Sequence, residues 1–240
     1  MHDNAEGHAQ RLQVLRLAVA AGWRPALLME QFDRERQPDI DRARRERPTD
    51  AQHLIALAGG KGWDWPLYHP VIELALQAGL PLLAANVSAP DARKLVRGGY
   101  ADVFDAEQRS TLGLDAPRPA DWQRAQEREI DLGHCGALPA VMWPAMARAQ
   151  YARDAVMAGL LAAHTVQGGV LLAGNGHVRR DLGVPRWLPG APATRAFVVG
   201  FLETPVPPEE AARYDAVVAL PPAQRPDPCE GFGRRPPAAP

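Results

Sequence analysis

The chain has 240 residues, 46% of them hydrophobic and 23% charged, with a formal net charge of −1. That make-up suits one globular domain, or a domain with a subdomain. It holds no basic excess to displace phosphate counterions, so no nucleic-acid partner is expected, and no apolar run reaches the roughly 18 residues of a membrane span.

In chain order, residues 4–21 place Leu12, Leu15 and Val19 at helical spacing, and Gly22 stops the helix. Residues 25–29 (PALLM) predict a strand with Glu30-Gln31-Phe32 at its C-terminal end. The charged segment 33–47 reads as a solvated helix with Pro38 near its start, and 49–58 as a short helix. Residues 59–66 (GGKGWDWP) form a loop with two tryptophans, and 67–78 a helix with Tyr68 and His69 in its first turn. Residues 80–87 (LPLLAANV) predict a second buried strand, closed by Asn86 and Ser88.

Helices follow at 90–97, 121–132 and 139–164, the last carrying Gln150, Tyr151 and Asp154, with 98–119 expected to be irregular. Gly169-Val170-Leu171-Leu172 reads as a third buried strand that breaks at Gly174-Asn175-Gly176, with His177 directly after. Late strands are expected at 195–202 and 215–220, and the Pro-rich residues 221–240 are expected to be disordered or loosely draped. Strands alternating with helices predict an α/β fold: a mainly parallel sheet flanked by helices, one domain over 1–220, with a smaller helical lobe within about 90–164. The two cysteines, Cys135 and Cys229, are far apart and make no CxxC pair, so neither a disulfide framework nor a structural zinc site is expected.

Glu30, Asn86 and His177 all follow apolar strand-like runs, and in a parallel sheet such ends share one edge. His2 joins them if a strand precedes it. Two histidines and a carboxylate at one edge suit a divalent metal (His2, Glu30, His177) or acid–base work (Glu30, His177); read singly, each is a strand-end cap. His2 and His8 are not at the i, i+4 spacing of a helical metal pair. Tyr68 and His69 follow a loop with two tryptophans, a setting for a flat apolar cofactor, and tyrosinate and imidazole both ligate haem iron. No CxxCH is present, nor a Gly-x-Ser-x-Gly elbow, a Walker loop or a Rossmann fingerprint.

Taken together, these motifs resemble the ChaN-like haem-binding family of the Tiki/TraB/erythromycin-esterase superfamily. His2-Asp3-Asn4 with His8 resembles the end of its opening motif, and Met29-Glu30-Gln31-Phe32 with Gln37 and Asp41 its second. Trp65-Pro66-Leu67-Tyr68 and residues 82–86 resemble the middle segment. Gln150, Asp154, Met157 and Ala158 resemble the long-helix motif, and Gly174-Asn175-Gly176-His177, closing at Gly183-Val184-Pro185, the last.

The resemblance implies a parallel sheet with a small helical lobe. It also implies haem binding, for which Tyr68 is the expected axial ligand and His69 the alternative; Asn86, Asn175 and Asp154 are expected as supporting residues of the site. A non-catalytic role in haem or iron uptake, a homodimer and an exported, lipoprotein-related setting follow from it too. In the metalloprotease branch the matching His and Glu positions bind a divalent metal, which makes a metal-dependent hydrolase the alternative. The chain departs from the family pattern at its start: the Gly-Glu pair and the strand ahead of His2 are missing. One carboxylate fewer at the site, an unpaired sheet edge and no visible export signal are the expected consequences.

Overall fold

The computed structural model describes residues 2–188, 190 and 196–230. The chain divides into two compact units, Met1–Ser88 with Arg153–Ala223, and Ala89–Ala152 with Gln224–Pro240. The fold is α/β, with parallel sheets flanked by helices, as the sequence implies.

The first unit is built on β1 (Ala26–Asp33), the middle strand of a three-stranded parallel sheet ordered β2-β1-β3, with β2 at Leu82–Asn86 and β3 at Gly169–Leu172. β1 is buried from Ala26 to Phe32, which is why its sequence is a continuous apolar run: a central parallel strand is covered on both faces. Side chains alternate across a strand. Leu27 and Met29 therefore pack with α1 (Ala5–Ala20), α2 (Gln37–Glu46), α3 (Ala51–Ala58) and α4 (Trp65–Gln77), through Leu15, Ile40, Leu54 and Ile72. Ala26 and Leu28 face the other way, onto Met157, Ala158, Val184 and Leu188. The β1–β2 register shifts between Met29 and Asp33, a local irregularity at the end of β1 that carries Glu30.

Two local devices position the functional edge. Asn4 caps α1 by accepting from the Gly7 N–H at 2.9 Å, satisfying one of the helix's orphan donors. Its Nδ2 donates to Glu203 at 2.8 Å and to the Pro221 carbonyl at 3.0 Å, which fixes the chain two residues after His2. Pro66 sits in the first turn of α4, where its missing N–H costs nothing, and the helix turns Tyr68 inward.

The late strands form a sheet of their own. β4 (Val199–Glu203) and β5 (Ala216–Leu220) pair in parallel and are not part of the three-stranded sheet. Arg195, expected at the start of the first of them, lies outside the described residues, as do residues 231–240 of the Pro-rich tail.

The second unit contains α5 (Ala89–Arg97), α6 (Ala106–Thr111), α7 (Ala120–Gly133) and the first part of α8 (Trp143–Ala163). α6 interrupts the stretch expected to be irregular, and its start is a full capping box between Asp105 and Gln108. Leu95, Phe104, Trp122, Ile130 and Tyr151 are buried, the Trp122 and Tyr151 rings meet edge-on at 5.5 Å, and the Tyr151 hydroxyl donates to Gln123 at 3.1 Å.

The cysteine expectation is corrected here: Cys135 and Cys229 form a disulfide across 94 residues of sequence, with Cα atoms 5.5 Å apart. Spacing carries no sign of this pairing, because it depends on residues near 229 folding back on the loop after α7.

Candidate functional site

A charged cluster gathers where β1 and β3 end. Gly174 follows β3 and leads into the one-turn helix α9 (Asn175–Val178), which carries His177. His177 Nδ1 donates to Asp154 Oδ1 of α8 at 2.6 Å, and its Nε2 lies 3.6 Å from Glu30 Oε1. The Gly174 N–H donates to the other Glu30 oxygen at 2.7 Å.

Burial works against charge on His177, but Asp154 and Glu30 outweigh it and push the imidazole up to about 9. Glu30 is held below the usual carboxylate range: its burial is overcome by His177, the Gly174 N–H and His2. Burial pushes Asp154 upward against the pull of His177. Near neutral pH the arrangement is an imidazolium clasped by two acidic groups.

A second, aromatic cluster lies beside it. His2 Nδ1 is 3.1 Å from the Tyr68 hydroxyl, and His8 Nε2 donates to the His2 carbonyl at 3.0 Å. The Trp63 ring meets His2 edge-on at 4.8 Å, and His8 meets Tyr68 at 4.6 Å. Tyr68 is only 3% exposed and lines a cavity of about 210 Å³ with His2, His8, Arg11 and Gln31. Gln31 is also 3% exposed, and its Oε1 is a buried acceptor without a partner among the described residues. Burial pushes the Tyr68 phenol up and His2 and His8 down, so all three are neutral near pH 7.

The clusters touch at Gly174. A Cβ there would stand 3.0 Å from His2 Nε2, so the imidazole would have to give way slightly, and in ordinary contact at 3.6 Å from Glu30 Oε2.

The structure therefore brings together His2, Glu30, Tyr68, Asp154 and His177. It does not bring in the other expected residues. His69 is half-buried and makes none of these contacts among the described residues. Asn86 ends β2 and donates to Asp33 at 3.3 Å, while Asn175 spends its amide on the backbone of Phe201.

Among the described residues no group of three or more His, Cys, Asp or Glu side chains is set to hold an ion, His2, Glu30 and His177 included. In this arrangement His177 Nδ1 is given to Asp154, one Glu30 oxygen to the Gly174 N–H, and His2 Nδ1 to Tyr68. Sequence reading set His8 aside and missed Arg11 and Gln31. A signal existed, since Asn4, His8, Arg11 and the buried Leu15 recur at helical spacing on one face of α1.

The family model described as haem-binding uptake, Tiki superfamily, ChaN, matches residues 1–188. The chain belongs to this family. Its fold is similar to that of a solved structure of ChaN of Campylobacter jejuni, described as showing cofacial heme binding, with a TM-score of 0.69 and 18% identity. The match covers 86% of this chain and 80% of that one. No curated protein sequence matches the chain.

The donor set of this ChaN-like chain suits haem: a phenol, a neutral imidazole and flanking indole rings are ligand and wall chemistry for a porphyrin.

Proposed function

We propose that this chain binds haem through Tyr68 as a non-catalytic member of a haem or iron uptake system. The observation that carries the reading is the Tyr68–His2 pair, a buried phenol with an uncharged imidazole 3.1 Å away, at the edge where β1 and β3 end. Haem iron, when bound, supplies a Lewis acid that a phenolate can satisfy. Burial disfavours the phenolate on its own, so the phenolic proton needs an acceptor, and His2 Nδ1 is in hydrogen-bond range to take it. The Glu30 carboxylate favours the imidazolium that results, since its charge already raises the affinity of His2 for a proton. Trp63 and Trp65 flank the pair and offer apolar surface to a flat ring.

Membership of a haem-binding uptake family supports the same reading, and cofacial heme binding by the Campylobacter protein favours a homodimer as the loaded form. The Cys135–Cys229 disulfide supports an oxidising compartment, consistent with an exported protein of the cell envelope. The test is titration with hemin followed by its Soret band, with size-exclusion chromatography of the loaded protein. A saturable band and a hemin-dependent shift to twice the monomer mass are expected. A featureless titration removes the reading, and a band on an unshifted monomer removes the dimer.

A further inference from the structure

One buried polar side chain on β1 stands where the core otherwise takes apolar ones. Side chains alternate across a strand. Leu27 and Met29 pack into the cluster that also holds Tyr68. Glu30 points to the opposite side, toward His177. Gln31 returns to the Tyr68 side, where it lines the cavity with His2, His8 and Tyr68. It is buried there, although a leucine or methionine would fill the place with no polar group to satisfy.

The Gln31 amide is used at one end only. Its side chain is hydrogen-bonded to the Tyr68 hydroxyl, whereas its Oε1 has no partner among the described residues. An amide oxygen only accepts and its nitrogen only donates. The bond to Tyr68 is therefore made by Nε2, which donates to the phenolic oxygen. That oxygen carries one proton and two lone pairs. The proton has an acceptor in His2 Nδ1, 3.1 Å away, and Gln31 takes one lone pair. One lone pair remains, in a direction that two hydrogen bonds fix. When the proton passes to His2, the Gln31 bond stays and becomes charge-assisted, which strengthens it.

We infer that Gln31 is a positioning residue for haem: its Nε2 donates to Tyr68 Oη and keeps the remaining lone pair of that oxygen open to the iron. The inference rests on Tyr68 as the ligand and names what holds that ligand ready. It also accounts for the unpaired Oε1. If Gln31 served only the fold, an apolar side chain of similar size would serve better, since an unsatisfied buried acceptor costs stability.

The experiment compares Gln31→Leu and Gln31→Met with the unaltered full chain and with Tyr68→Phe. It reads the thermal midpoint without hemin, the hemin affinity, and the ferric/ferrous midpoint potential of the loaded protein. Both apolar variants are expected to melt no lower than the unaltered chain, because an unpaired buried acceptor is removed. Their hemin affinity is expected to fall roughly tenfold. Their potential is expected to fall as well, since a phenolate relieved of a hydrogen bond donates more strongly and favours ferric iron. A tenfold tilt toward ferric iron is about 59 mV for one electron. A lower midpoint without hemin, at an unchanged potential, overturns the inference, because Gln31 then only packs the core. Equal affinity and equal potential in both variants, with Tyr68→Phe altered, overturn it and leave Tyr68 as the ligand. A Tyr68→Phe band identical to that of the unaltered chain removes the haem reading and this inference with it.

Discussion

The two clusters that meet at Gly174 differ in kind. Around His177 the groups are charged and closely paired, with Asp154 at 2.6 Å, the Gly174 N–H on Glu30 at 2.7 Å and an ion contact of 3.6 Å between the imidazole and Glu30. Around Tyr68 the groups are neutral, they border a cavity, and one buried acceptor, Gln31 Oε1, has no partner among the described residues. A closely paired ion cluster in low dielectric is expensive to disturb. A neutral cluster with a proton acceptor beside a phenol can exchange a hydrogen bond for a ligand bond. On the proposed function, the first cluster holds the strand ends in place and the second binds.

The largest effect should come from breaking the charged cluster. Asp154→Ala removes the 2.6 Å partner of a buried imidazolium, and losing one member of a buried ion pair costs roughly 3–5 kcal/mol. Urea unfolding should show a loss of that order, while any protein that remains folded should still give a hemin band. A stable variant without hemin binding would reverse the assignment of roles.

pH offers a test without mutation. His177 is raised in the folded chain to about 9, against about 6.5 for a free imidazole. A raised pKa means that the folded state holds the proton more tightly. Its contribution is therefore complete below about pH 6.5 and lost as pH climbs through about 9. The thermal midpoint should fall between pH 7 and pH 10, and His177→Gln should flatten that slope. An unchanged slope in the variant would place the titration elsewhere.

Gly174→Ala sharpens the contact between clusters. Its Cβ would stand 3.0 Å from His2 Nε2 and 3.6 Å from Glu30 Oε2, so overpacking of about 1–3 kcal/mol is expected. Displacing His2 from Tyr68 should weaken hemin binding roughly tenfold, the equivalent of about 1.4 kcal/mol. The smallest effect belongs to His69→Ala. His69 sits beside Tyr68 in sequence but outside both clusters, so its hemin spectrum and affinity should match those of the unaltered chain. A shifted band there would transfer the ligand role to the imidazole.

Much of this was legible in the residues. The apolar run before Glu30 and the one before Gly174 are central-sheet signals, and their common edge follows from parallel topology. That is why the approach of Glu30 and His177 could be expected before any coordinates. What sequence could not supply was the orientation of each side chain. The spacing of His2, Glu30 and His177 reads equally as a metal set or as an ion cluster. Nor does the spacing carry Asp154, which reaches His177 from α8, 23 residues earlier in the chain. The disulfide was hidden for a similar reason, because it records where residue 229 comes to rest and not any local pattern. The separation of β4 and β5 from the main sheet was equally invisible, since periodicity identifies strands but not their neighbours.

The most direct test of the account is the hemin titration of Tyr68→Phe beside the unaltered chain. This substitution keeps the ring that packs on His8 and removes only the hydroxyl that lies 3.1 Å from His2. The account predicts a folded protein with an unchanged thermal midpoint and a Soret band that is shifted or weakened, because the phenolate oxygen is gone. An identical band at identical affinity would contradict it and would move haem binding away from this cluster.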